Sequence, residues 1–178
     1  MAVQVLSGRD VILFFRERAL HATEDAAKLR FQTEHSISKE KENESTLTKD
    51  GIVNSISDGE NTADITSLAY RDDTQTLTTW ETLEDCFDRN ALMEMWQVDI
   101  TGVDTGSTQV KATYFQGYFT SFEQSNPADG NVELSYSFAI NGKGVKGTDT
   151  LTPAQLEAVQ SLMYEYEKMA ATTTPVTP

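Results

Sequence analysis

The stretch Thr108–Gly144 constrains the fold most, because it contains a long run in which apolar and polar residues alternate strictly. The apolar positions of this run are Val132, Leu134, Tyr136, Phe138 and Ile140, and the positions between them are Glu133, Ser135, Ser137 and Ala139. Side chains of a β-strand point alternately to its two faces. The run therefore predicts a strand with one buried face and one polar face.

A turn precedes this strand. Residues 126–131, with the sequence NPADGN, combine a proline that fixes φ with an Asp-Gly pair that tolerates positive φ. Together with the residues before the turn, the alternating run predicts a long antiparallel hairpin.

Further strands are predicted on both sides of the hairpin. They are expected at residues 10–16, 29–37, 52–57, 63–70 and 92–101. The Asp58-Gly59 pair is expected to form a turn between two of them. The pattern is typical of a mainly β protein, with strands outnumbering helices.

One helix is predicted within the chain. Thr78 and Glu81 have the spacing of a capping box, in which the two residues satisfy each other's backbone N–H groups. Trp80, Leu83 and Phe87 follow at helical spacing, so the helix is expected over roughly residues 79–90.

The chain of 178 residues fits one domain with an extension. We expect residues 1–150 to form the β domain and residues 151–178 to form a C-terminal extension. The extension would consist of a short helix that starts near Pro153 and a flexible Thr/Pro tail over 171–178.

Residues 38–51 are almost wholly polar, with lysines and glutamates alternating along the segment. Such a segment cannot help to bury a core, so we expect it to project from the body as a long loop or an extended hairpin.

The formal net charge of −14 argues against a surface built to bind nucleic acid, since affinity for phosphate comes from lysine and arginine. Carboxylates dominate residues 61–108, where only Arg71 and Arg89 are basic. Solubility is one interpretation of this acidity. A surface that repels DNA as it passes is another.

No apolar run approaches the ~18 residues of a membrane span, and the N-terminus lacks the features of a signal peptide. We expect synthesis in a cytoplasm and no membrane binding.

A search for catalytic or ligand-binding residues finds no convincing constellation. His21 and His35 lack the spacing of paired metal ligands, and His35 is expected to be a packed or edge residue. Cys86 lies beside Asp85, whose charge would raise the pKa of the thiol, so a half-buried packing role is expected. We therefore predict no enzyme activity, no cofactor and no metal.

The order of these segments resembles a known family. The segments are an opening strand over Gly8–Phe14, a strand, charged loop and strand over 29–57, a helix bearing Trp80 and Phe87 with a strand after it, and a closing pair of strands through Gly117-Tyr118 and Gly130–Gly142. This order resembles the major tail tube proteins of long-tailed, siphovirus-type bacteriophages. The resemblance covers about residues 8–150 and rests on order and spacing, since no single motif is diagnostic.

The resemblance implies a β-sandwich or β-barrel flanked by one helix, with a projecting β-hairpin. It implies a structural subunit that assembles into stacked, hexameric rings around a negatively charged lumen, through which DNA passes without specific binding during genome ejection. The implied partners are further copies of the chain, a tape measure protein inside the lumen, and tail tip and tail terminator proteins. The protein would be made in the host bacterial cytoplasm and would act in the virion.

The resemblance also suggests roles for particular residues. Lumen-facing candidates are Glu34, Ser36, Glu133, Ser135 and Ser137. The alternative is that this face meets outside water. Candidates for contact between rings are Lys39, Glu40, Lys41, Glu42, Glu44, Leu47, Lys49 and Asp50. The alternative for this segment is a solvated loop.

A second function stays open at this point, namely a monomeric, acidic β-sandwich that serves as a recognition module on a virion or cell surface. Assembly of the purified chain into rings or tubes would separate the two hypotheses.

Overall fold

The predicted hairpin forms the middle of a seven-stranded antiparallel sheet in the computed structural model, which describes residues 5–103 and 107–160. The strands are β1 (Val11–Glu17), β2 (Ala27–Lys28), β3 (Gln32–Thr48), β4 (Gly51–Leu68), β5 (Met93–Asp99), β6 (Gln109–Ser125) and β7 (Glu133–Thr150). Their order across the sheet is β2-β1-β5-β6-β7-β4-β3. Two α-helices, α1 (Thr79–Asp88) and α2 (Pro153–Gln160), accompany the sheet, and short 3₁₀ turns occupy Gly8–Asp10 and Arg18–Leu20. The mainly β prediction is confirmed.

The sandwich-like core comes from a single sheet that curls on itself. The rings of Phe15 in β1 and Phe138 in β7 are 6.5 Å apart, although β5 and β6 lie between their strands. In a flat sheet three strand spacings would separate them by ~14 Å. Similarly, Gln97 Nε2 in β5 lies 3.0 Å from His35 Nε2 in β3, which is four strands away. The curl encloses the main core.

The core contains the alternating apolar residues that the sequence singled out. Leu134, Tyr136, Phe138 and Ile140 are all buried, and Phe138 packs its ring 5.2 Å from that of Phe119. Helix α1 covers this core with Leu83 and Cys86. Its capping box is present, because the Thr78 N–H donates a 2.7 Å hydrogen bond to Glu81 Oε2.

A second, smaller apolar cluster lies on the opposite face of β1, β5 and β6. Phe14, Val98 and Val110 form its centre, and Leu156 and Val159 pack against it from the α2 side. Gln155 Nε2 also donates a 2.9 Å hydrogen bond to the Ala26 carbonyl. These contacts fasten the first part of the predicted extension to the sheet. The rest of the extension, including the predicted flexible tail over 171–178, lies outside the described residues.

Two local predictions are wrong. The strand expected from Leu29 begins only at Gln32, because Phe31 adopts a positive φ of 53° that extended backbone does not have. The turn expected at Asp58-Gly59 lies inside β4, which runs without a break to Leu68. The pairing register shifts there, between the pairs Lys39–Asn61 and Lys41–Asp58. Gly59 therefore marks a β-bulge, another place where glycine is favoured.

Candidate functional site

The convex side of β3, β4, β7 and β6 forms one continuous polar surface, here called the outer face. Residues that pair across antiparallel strands point to the same side of the sheet, and the register therefore assigns this surface directly. Its members are Glu34, Ser36, Ser38, Thr62, Asp64, Thr66, Leu68, Tyr118, Ser121, Glu123, Ser125, Glu133, Ser135, Ser137 and Ala139.

The outer face is acidic. Glu34, Asp64, Glu123 and Glu133 are exposed on it, and these paired strand positions hold no lysine or arginine. The other polar members are mostly serine and threonine hydroxyls. Such a surface repels phosphate and offers it no cationic contact.

Hydrogen bonds across the strands order part of this surface. Ser137 Oγ donates a 2.8 Å hydrogen bond to Asp64 Oδ1, and the Thr33 and Thr66 hydroxyls lie 2.7 Å apart. Cross-strand hydroxyl pairs of this kind stabilise neighbouring strands modestly. The polar groups are therefore held in fixed positions along the face.

The structure brings all five lumen-facing candidates together on the outer face, on β3 and β7 with β4 between them. That they line a lumen stays a prediction. Three further residues of this face, Asp64, Thr66 and Glu123, are not evident from sequence patterns. Their own strands alternate, but the face on which they lie depends on pairing with Ser137 and Ser135, which alternation alone does not reveal.

Beyond the body, β3 and β4 continue as a two-stranded hairpin, here called the ribbon (residues 39–60). In this region β4 has no second neighbour, because its pairing with β7 ends at Asn61–Ile140. The extended hairpin was one of the two forms expected from the sequence, and the loop was the other.

The ribbon has two different sides. Leu47 pairs with Ile52 and Asn43 pairs with Ile56, so these positions point to one side. Leu47, Ile52 and Ile56, here called the apolar ribbon face, are 80%, 69% and 62% exposed. Glu42 and Glu44 point to the other side, which is continuous with the outer face along β3. The charges that alternate in sequence are thus separated in space.

Contacts at the ribbon base connect it to β7. Asp58 pairs with Lys41 across the ribbon and with Lys143 of β7, whose Nζ lies 3.1 Å from Asp58 Oδ2. Lys39 Nζ donates a 2.9 Å hydrogen bond to the Lys143 carbonyl. Asn61 Nδ2 donates one of 2.6 Å to the Gly142 carbonyl.

These accepting carbonyls lie in a bulge of β7, where Gly142 and Gly144 have φ values of 75° and 76°. A Cβ at Gly144 would also come within 2.3 Å of the Phe115 ring, so glycine is required there on two grounds.

The inter-ring candidates therefore divide into groups. Lys39 and Lys41 are engaged within the chain, as described above. Glu40, Glu42 and Glu44 are exposed and form no ion pair among the described residues. Leu47 belongs to the apolar ribbon face, and Lys49 and Asp50 form the exposed turn at the tip. Their contact with another ring stays a prediction.

A buried carboxylate stabilises the body away from these surfaces. The Glu94 side chain is 1% exposed and accepts hydrogen bonds from Arg16 Nε at 2.7 Å, Arg18 at 2.7 Å and the Tyr114 hydroxyl at 2.6 Å. Burial alone would raise the pKa of Glu94, but the hydrogen bonds from Arg16, Tyr114 and Arg18 outweigh burial and lower it. Arg16, Arg18 and Tyr114 thus hold the Glu94 carboxylate in the folded body.

Cys86 and His35, two residues considered for chemistry from the sequence, pack within the body. Cys86 is 1% exposed, and burial raises the pKa of its thiol to about 11. Burial lowers the pKa of His35, which lies beside Gln32 and Gln97. Over residues 5–103 and 107–160, no three His, Cys, Asp or Glu side chains group closely enough to hold a metal ion. No helix of the described ranges is long and apolar enough to cross a membrane.

Solved structures share this fold. The tail tube of phage SPP1 matches with a TM-score of 0.71 at 20% identity, covering 96% of each chain. The tail of a gene transfer agent particle, refined with C6 symmetry, matches with a TM-score of 0.56 at 13% identity, covering 83% of this chain and 100% of the other. The fold is that of tail tube proteins.

Sequence comparison gives the family. The family model described as phage tail tube protein matches residues 5–146. A protein named putative tail protein of Staphylococcus phage phiMR25 is 31% identical over 163 residues, covering 90% of this chain and 81% of the relative. The tail tube protein gp17.1* of Bacillus phage SPP1 is 25% identical over 170 residues, and the match spans 94% of this chain but 61% of that protein.

The chain belongs to the phage tail tube protein family. It is a structural subunit of the tail tube of a siphovirus-type phage and therefore part of the virion. The resemblance to tail tube proteins of siphovirus-type phages, based on the order of segments in the sequence, is confirmed. Of the two functions considered from the sequence, family membership supports the tube subunit over the monomeric recognition module.

Proposed function

We propose that this chain assembles into stacked hexameric rings in which the outer face of β3, β4, β7 and β6 lines a negatively charged lumen. The observation that carries the proposal is the composition of that face. It presents four exposed carboxylates and a series of hydroxyls, without a lysine or arginine at the paired strand positions.

The physical reason is that a DNA duplex carries a dense row of phosphates, which bind strongly wherever lysine or arginine is available. A channel wall of carboxylates and hydroxyls repels those phosphates weakly along its whole length. DNA can then move through the channel without pausing at specific sites. The C6 symmetry of the gene transfer agent tail, which shares the fold, supports six chains per ring.

Ring closure would also solve the problem of open sheet edges. The strand β3 forms one edge of the sheet, and unpaired edges invite uncontrolled pairing with other chains. In a closed ring each sheet edge would pair with the neighbouring copy. The unpaired edges would then form the assembly contact and would no longer be open to other chains.

The ribbon is proposed to contact the adjacent ring. Three exposed apolar side chains at the end of a projecting hairpin are costly in water unless another surface covers them. The glutamates Glu40, Glu42 and Glu44 would add register rather than much affinity, because exposed ion pairs are individually weak.

Inside the tube a tape measure protein would occupy the lumen before DNA, and tail tip and terminator proteins would close the two ends.

Assembly of the purified chain tests this function. At high concentration, and with tail tip components added as nuclei, negative-stain microscopy should show rings or hollow tubes. If only compact monomers appear under both conditions, the proposed function is wrong and the recognition module becomes the better hypothesis.

A further inference from the structure

Two exposed apolar surfaces lie at opposite ends of the strand pair β3 and β4. One is the apolar ribbon face, close to the tip at Lys49–Asp50. The other surrounds Phe31 and Tyr70, which lie next to the opposite ends of β3 and β4. Sixteen residues separate Phe31 from Leu47, which is ~50 Å of extended chain. The two surfaces therefore cannot meet within one copy.

The second surface, here called the aromatic patch, consists of Arg30, Phe31 and Tyr70. Leu77 borders it, since Leu77 comes two residues before Thr79, whose N–H donates a hydrogen bond to the Tyr70 hydroxyl. Phe31 and Tyr70 stack edge to face with ring centroids 5.3 Å apart, and the Arg30 guanidinium lies 5.6 Å and 5.7 Å from the two rings. Phe31 is 39% exposed and Leu77 is 55% exposed.

The patch is held in place by the chain around it. The Tyr70 carbonyl accepts a 2.8 Å hydrogen bond from Trp80 Nε1, and the Tyr70 hydroxyl accepts one of 3.3 Å from the Thr79 N–H. Phe31 keeps a positive φ of 53°, which is uncommon for a bulky residue, and thereby presents its ring next to Tyr70. Backbone strain of this kind tends to persist where a side chain has a function.

We propose that the apolar ribbon face of one copy docks on the aromatic patch of a second copy in the adjacent ring. The inference rests on the proposed function and identifies the surface that receives the ribbon. A stack of rings that all point the same way requires two different, complementary surfaces at opposite ends of each subunit. These two surfaces meet that requirement. Aromatic and arginine side chains also carry much of the binding energy in protein interfaces.

Arg30 gives the patch a charged group as well. Arg30 is 40% exposed, and its carboxylate neighbour within the chain, Asp72, is 3.9 Å away. Its guanidinium therefore keeps donors for a carboxylate from another copy. An ion pair between Arg30 and such a carboxylate would fix the register of docking.

Disulfide trapping tests the contact. A double variant with Leu47→Cys and Leu77→Cys is assembled into tubes and oxidised mildly, then separated by non-reducing gel electrophoresis. Both positions are exposed, and the natural Cys86 is buried with its thiol pKa raised to about 11, so it does not compete. The inference predicts a ladder of linked chains much longer than dimers, because every copy would donate one cysteine to each neighbour along the tube.

Matched controls make the result specific. Thr46→Cys with Leu77→Cys places the ribbon thiol on the other side of the ribbon and should form tubes without a ladder. Leu47→Cys alone should give dimers at most. Tubes of the Leu47 and Leu77 double variant that show no ladder would overturn this inference while leaving the tube function intact. Failure of the natural chain to form tubes at all would contradict the proposed function, and this inference with it.

Discussion

Lys143 Nζ of β7 lies 3.1 Å from Asp58 Oδ2 of β4, and this contact joins the body of the subunit to the base of the ribbon. Asp58 also pairs with Lys41 across the ribbon. One carboxylate thus connects three strands at the point where the ribbon leaves the sheet. The direction in which the ribbon projects depends on this connection together with the hydrogen bonds of Lys39 and Asn61 to the β7 bulge.

Asp58→Asn should loosen the ribbon without unfolding the subunit, since Asp58 is exposed and lies outside the core. We expect an unchanged thermal unfolding midpoint and a severalfold higher critical concentration for tube assembly, measured by sedimentation. Glu60→Gln, a neighbouring exposed carboxylate without an ion pair among the described residues, is the control. Equal critical concentrations for the two variants would show that Asp58 does not orient the ribbon.

The apolar ribbon face should be required for assembly and dispensable for folding. A triple variant, Leu47→Ser, Ile52→Ser and Ile56→Ser, removes only exposed apolar groups, so chemical unfolding should change little. Negative-stain microscopy should show rings or monomers in place of long tubes. Val53→Ser is the control on the other side of the ribbon, where the side chain is 57% exposed. Normal tubes from the triple variant would remove this face from the assembly contact.

Phe138→Ala should destabilise the subunit by ~3–5 kcal/mol, because it empties a fully buried aromatic site between Phe15 and Phe119. Tyr118→Ala, on the outer face of the neighbouring strand and 42% exposed, should cost less than ~0.5 kcal/mol. Urea unfolding of the unassembled subunit gives both values. A loss below ~1.5 kcal/mol for Phe138→Ala would contradict the curled-sheet core.

Glu94 should make the subunit sensitive to acid. Its pKa is lower in the folded chain than the unfolded value of ~4.3. The ionised group therefore stabilises the fold above that unfolded pKa, and this stabilisation is lost as the pH falls below it towards the folded pKa. Glu94→Gln should cost about 3 kcal/mol at pH 7, because it leaves Arg16 and Arg18 without their shared carboxylate.

Between pH 5 and pH 3 the free energy of unfolding should fall less for Glu94→Gln than for the natural chain. A single carboxylate contributes ~1.4 kcal/mol for each unit by which its pKa differs between the folded and the unfolded chain. Urea unfolding at several pH values measures this slope. Identical slopes for the two proteins would mean that Glu94 does not carry the pH dependence.

Much of this fold follows from local patterns in the sequence. The alternation from Val132 to Ile140 places β7 and its buried face, and the Thr78 and Glu81 pair places the start of α1. The strand β7 and the start of helix α1 each depend on residues only a few positions apart, so the sequence alone is enough to predict them.

The candidate surfaces depend on pairing between distant residues, and this limits what local patterns reveal. Asp64 belongs to the outer face because it pairs with Ser137, which is 73 residues away. Gly59 was predicted to end a strand, yet the hydrogen-bonding partners on β3 make it a bulge within β4. The lysines and glutamates of residues 39–44 alternate along the sequence, which does not show on which side each one lies. Strand pairing places Lys41 and Glu42 on opposite sides of the ribbon.

The most direct test of the central claim is an electron cryomicroscopy reconstruction of tubes assembled from this chain, at a resolution that separates the strands. We predict sixfold rings in which the outer face, marked by Glu34, Asp64 and Ser135, lines the channel. A reconstruction in which these residues face the surrounding solvent, with α1 or α2 towards the channel, would contradict it.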